Sequence, residues 1–191
     1  CGQKQTDWSC APCGATTIRS GLVGASTTAE QLGRAFPDTT VVDSSSDHVT
    51  TTIGTQPVLV VCTPGAEPRS ESGYAAAVVL DATSALERPG LTSVEQTVDR
   101  WFHVVSLVQG APEGGRVVLV GPTGDRAVQA LIRNDPVGWA RRELADRLEA
   151  GFPPATCAAI ISGSDQAVQA AVKQLCAASS DATALTGTPA H

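Results

Sequence analysis

Three short, unbroken apolar runs constrain this chain most: Val58-Leu59-Val60-Val61-Cys62, Ala75–Leu80, and the segment Arg116–Val120 that follows Gly114-Gly115. A strand with one solvated face alternates apolar and polar residues. A run without alternation marks a strand covered on both faces, which is characteristic of parallel sheets. Helical patterns surround these runs. Thr27-Thr28-Ala29-Glu30 opens one in the manner of a capping box, and Pro37 stops it after Phe36. Ser93–Val108 places Val94, Val98, Trp101, Val105 and Val108 on one stripe. Asp125–Arg133 predicts a helix burying Val128, Leu131 and Ile132, and Pro136–Ala150 a further helix ended by Gly151.

Buried strands alternating with helices define an α/β fold, a parallel sheet flanked by helices with right-handed crossovers. Ile18–Val23 and Thr39–Val42 are shorter strand candidates, and Asp43–Gly54 is polar enough to be a loop. Pro153-Pro154 marks a boundary. Beyond it Cys157–Ile161 reads as a strand, Ser164–Cys176 as a helix, and 178–191 as a small, polar, disordered tail.

The chemistry-bearing pattern lies at the start: Cys1, then Cys10-Ala11-Pro12-Cys13-Gly14. Two thiolates three residues apart can share one tetrahedral ion, and the glycine lets the backbone turn beneath it. A disulfide framework and a redox pair are the alternatives. Disulfides suit small secreted chains, and no signal-like segment is present here. A redox Cys-x-x-Cys opens a helix, whereas Gly14-Ala15-Thr16-Thr17 has no helical periodicity. Zinc is therefore expected at Cys1, Cys10 and Cys13. A structural zinc takes four ligands, so the set is incomplete. The chain contains no methionine; it is expected to be a piece of a longer protein with the missing ligands upstream. Cys62, Cys157 and Cys176 stand singly in apolar surroundings and are expected in the core.

A net charge of −6 without a basic run makes the chain a poor candidate for a main DNA-binding surface, because phosphate affinity comes largely from Lys and Arg. The densest basic group, Arg141, Arg142 and Arg147, is interleaved with Glu143, Asp146 and Glu149. That reads as a solvated helix face with mixed ion pairs. No run approaches the roughly 20 apolar residues of a membrane span. Neither G-x-x-x-x-G-K-[ST] nor G-x-G-x-x-G occurs, and Gly110–Gly115 precedes a strand and reads as a turn. Asp81 ends an apolar strand and reads as a capping aspartate before Ala82-Thr83-Ser84 rather than a Mg²⁺ ligand. His103, Thr63 and Ser106 assemble into no nucleophile–base arrangement. The residues themselves show a zinc-anchored α/β domain without a catalytic site.

Cys10–Gly14, Gly21–Gly24 and Thr28-Ala29-Glu30-Gln31-Leu32-Gly33-Arg34-Ala35-Phe36-Pro37 resemble the PriA family of primosomal replication-restart helicases, most closely its actinobacterial branch. So do Thr63–Pro68, Gly73-Tyr74-Ala75-Ala76-Ala77, Leu80-Asp81-Ala82, Val128-Gln129-Ala130-Leu131, Asp135-Pro136 and Arg142–Arg147 through Gly151-Phe152-Pro153-Pro154. The resemblance reaches to about Cys176. It implies the end of a zinc-binding region at 1–17, the second RecA-like helicase lobe at 18–153, the start of a small C-terminal α+β domain at 154–177, and the tail at 178–191. It also implies zinc and ATP as cofactors, forked or single-stranded DNA, primosome and single-strand-binding proteins as partners, and a place in the cytoplasm at the nucleoid. Cys10 and Cys13 match the last pair of the family's eight zinc-binding cysteines. Cys1 matches the second member of the pair before, and those two pairs serve different zincs.

Three segments depart from the family pattern. Gly24-Ala25-Ser26 stands where active members carry G-T-E. Cys62-Thr63-Pro64-Gly65 stands where they carry G-T-Q-M with a following lysine and glycine. His103–Gly110 stands where they carry Q-V-A-G-R-A-G-R, so the two arginines are replaced by Leu107 and Gly110. In the family those arginines reach the γ-phosphate in trans, a contribution of about 10³–10⁵ in rate. The expected function is a zinc-bearing replication-restart protein whose helicase engine is degenerate, with no catalytic residue in this lobe. An active 3′–5′ helicase and a zinc-stabilised interaction module unrelated to replication are the alternatives.

Overall fold

The computed structural model describes residues 9–16, 24–45 and 48–178. Cys1, the strand expected at Ile18–Val23 and the tail beyond Ala178 lie outside them. The described residues group into two compact units, 24–155 in one and 9–16 with 156–178 in the other.

In the larger unit, helix α1 (Ala25–Ala35) begins two residues before the expected Thr27, with Gly24 at its N-cap. The expected capping box is absent. Glu30 pairs instead with Arg34 at 3.1 Å, and the Thr28 hydroxyl donates to the Gly24 carbonyl. Strand β1 (Thr40–Ser44) runs on through Asp43 and Ser44, two residues of the segment whose polarity predicts a loop. It pairs in parallel with β3 (Val58–Cys62), from Thr40 opposite Val58 to Ser44 opposite Cys62. The polar segment between them contains β2 (Thr52–Ile53), parallel to β4 (Arg69–Ser70). The buried Ser44 hydroxyl holds this end together. It donates to the Ala66 carbonyl at 2.6 Å and accepts from the Thr50 amide at 3.0 Å.

Strands β5 (Ala76–Val79) and β6 (Arg116–Leu119) form the third parallel pair, Ala76 opposite Arg116 and Val79 opposite Leu119. The α/β class and parallel pairing agree with expectation. A single flanked sheet does not form among the described residues, which carry three two-stranded pairs. The chain between β3 and β5 bonds elsewhere: the Arg69 amide reaches the Thr51 carbonyl, and the Tyr74 amide the Leu107 carbonyl, both at 2.9 Å.

Between β5 and β6 come α2 (Ala82–Leu86) and α3 (Ser93–Leu107), and after β6 come α4 (Arg126–Ile132) and α5 (Pro136–Ala150). Ala82, Val98, Trp101, Ala127, Val128 and Leu131 form the core, with Val79, Leu119 and Trp139 packed against it. The α3 stripe is thus realised at Val98 and Trp101, with Val94 and Val105 partly buried. Ile132 is 64% exposed, contrary to expectation; it ends α4 about a quarter-turn off the face carrying Ala127, Val128 and Leu131. Asp81 precedes α2 in a left-handed conformation (φ 54°), and its side chain does not cap. Asp135 does cap α5, accepting from the Gly138 amide at 2.7 Å, and Gly151 ends the helix at φ 68°.

In the smaller unit, α6 spans Asp165–Ala178, taking in the first residue assigned to the tail. Cys157–Ile161 forms no strand, since no described segment pairs with it, and α6 has no buried residue. Cys157 and Cys176 are accordingly exposed rather than core residues, while Cys62 is half-buried in β3.

Candidate metal centre and the motor-motif segments

Cys10 and Cys13 lie on a tight turn. The Cys10 amide donates to the Ala15 carbonyl at 2.8 Å, and the Gly14 amide to the Cys10 carbonyl at 2.7 Å. Gly14 sits at φ 70°, where a side chain would be strained. A hydrogen bond from the Ala15 backbone, then one from the Cys10 thiol, hold the Cys13 thiol below its ordinary pKa. Both effects favour the thiolate, which is the ligating form. The two residues fit one two-cysteine half of a tetrahedral site. Among the described residues no cluster of three or more Cys, His, Asp or Glu side chains completes it, and Cys1 lies outside them.

Two of the three segments that depart from the family pattern, Cys62–Gly65 and His103–Gly110, are each followed by a carboxylate bound to the segment's last backbone amide. After β3 the chain turns at Thr63–Ala66, with the Ala66 amide on the Thr63 carbonyl at 2.9 Å. The Glu67 carboxylate accepts from the Gly65 amide at 3.0 and 2.9 Å. Burial first, and Glu67 second, push the Cys62 thiol up to about 11, so it is protonated and unreactive near neutrality. Burial and then the same neighbours also raise the Tyr74 phenol, whose hydroxyl donates to the Pro68 carbonyl at 2.7 Å.

Leu107 is the last residue of α3, half-buried, its carbonyl engaged by the Tyr74 amide. Gly110 opens a one-turn 3-10 helix, Ala111–Glu113. The Glu113 carboxylate accepts from the Gly110 amide at 3.0 Å, and the Gly110 carbonyl accepts from the Glu113 and Gly115 amides at 2.9 and 3.2 Å. At position 110, where the resemblance calls for an arginine, the glycine amide binds the Glu113 carboxylate. The turn also explains Gly115: a Cβ there would lie 1.8 Å from the Gln109 carbonyl oxygen. His103 is exposed on α3, and Asp81 is exposed before α2. Among the described residues neither meets a partner that would make it a base or a ligand.

The basic cluster on α5 is corrected by the structure. Arg141 and Arg142 are exposed, and Arg142 pairs with Asp135 at 3.4 Å. Arg147 is only 8% exposed. Its Nε meets Glu143 at 2.9 Å and Glu95 of α3 at 3.2 Å. Its Nη1 donates to the Pro153 carbonyl at 2.6 Å, and its Nη2 to the Leu91 carbonyl. One guanidinium thereby joins the start of α3, the end of α5 and the Pro153 turn. Sequence spacing showed only the Glu143–Arg147 pair, which is equally compatible with a solvated face; Leu91, Glu95 and Pro153 are reached through the fold.

These features define a unit of parallel strand pairs and helices preceded by a two-cysteine turn. No family model matches the chain. Over 163 residues it is 44% identical to a probable replication restart protein PriA of Mycobacterium tuberculosis (strain CDC 1551 / Oshkosh), and equally to that of Mycobacterium bovis. It is 42% identical over 168 residues to the protein of the same name from Mycobacterium leprae. The matches cover 85% and 88% of this chain but only 25% and 26% of the relatives, so the chain spans about a quarter of their length. The resemblance to the PriA family drawn from the motifs is borne out. Among the described residues no helix is long and apolar enough to cross a membrane.

Proposed function

We propose that this chain is part of a replication-restart protein that acts at stalled forks as a zinc-bearing scaffold, without an ATP-driven motor of its own. The similarity to mycobacterial replication restart proteins supports the restart role. One observation carries the loss of the motor: the Glu113 carboxylate closes on the Gly110 amide at the position where the family resemblance calls for an arginine. A RecA-like motor stabilises charge developing on the transferred phosphoryl group with cationic donors. A carboxylate has the wrong sign, and Leu107 has no donor. The second departure acts in the same direction: no lysine follows Cys62-Thr63-Pro64-Gly65 where the resemblance calls for one, and the Glu67 carboxylate binds the Gly65 amide there instead.

In this reading the metal region is structural. Cys10 and Cys13 supply two thiolates, and zinc would fix the turn that they define; further cysteines of the longer polypeptide complete the ligand sets. DNA is held mainly by other parts of that polypeptide, because the present chain carries a net charge of −6. The deciding experiment is DNA-stimulated ATPase of the longest polypeptide carrying these residues, on a forked substrate. Turnover at background is expected. Turnover in the common enzyme range of about 1–10³ s⁻¹ would overturn the scaffold reading.

A further inference from the structure

We draw no further inference here: the strongest candidate, the apolar outer face of the β5–β6 pair on which Val78, Leu80, Val118 and Val120 are each more than half exposed, is an unpartnered sheet face, and nothing in the structure shows what covers it.

Discussion

Replacing Arg147 by methionine separates the buried guanidinium seen in the structure from the solvated helix face that the sequence suggests. The stem of methionine fills most of the same volume, so the change removes chiefly charge and donors. Two carbonyls, of Leu91 and Pro153, lose their partners, and Glu95 and Glu143 are left facing one another. Breaking a buried pair from one side costs about 3–5 kcal/mol. Both carboxylates retain some access to water, which relieves part of their repulsion, so the expected loss is near the lower end, roughly 3 kcal/mol. For a chain of this size that lowers Tm by roughly 6–12 °C. Urea unfolding followed by far-ultraviolet circular dichroism gives the value directly. Arg147→Lys keeps the charge but not the fork, and should fall between the two. The triple variant Glu95→Gln, Glu143→Gln, Arg147→Met removes the repulsion and should recover part of the loss. A loss under about 0.5 kcal/mol for Arg147→Met, the usual result on a solvated surface, would refute the argument.

Gly115→Ala should cost about 1–3 kcal/mol in the same assay, because its Cβ would meet the Gln109 carbonyl, while Gly124→Ala, with nothing within 4 Å, should be neutral. Iodoacetamide labelling read by peptide mass spectrometry should find Cys13 modified well before Cys62; the Cys62 rate should stay low at pH 8 and climb only as pH approaches about 11. The same thiol gives a sign for stability. A pKa raised in the folded state means that the folded chain holds the proton longer, so Cys62 lowers stability as pH rises from about 9 toward 11, and Cys62→Ala should flatten that decline. In the longest polypeptide carrying these residues, Cys10→Ser with Cys13→Ser should lower the zinc content by metal analysis; an unchanged content would remove these residues from the ligand set.

The class of fold was legible in the apolar runs, because a continuous run such as Val58–Cys62 suits a parallel strand, and the spacing of Val98 and Trp101 selects the buried side of α3. The Cys10–Gly14 turn was legible too, since its chemistry is local. Tertiary structure decided whatever depends on residues far apart in the chain. The parallel strands divide into separate pairs because Arg69 and Tyr74 find partners at Thr51 and Leu107. Among the described residues no strand arrives beside Cys157, which is exposed, and Ile132 is exposed because it lies off the buried face of α4. Arg147 shows the difference most directly. Its i–4 neighbour Glu143 is written in the sequence, but Leu91 and Glu95 lie more than 50 residues away. Only the fold, which brings Leu91, Glu95 and the Pro153 carbonyl to the end of α5, turns an ordinary surface arginine into a buried one, because a buried charge is stable only where opposite charges and acceptors meet it.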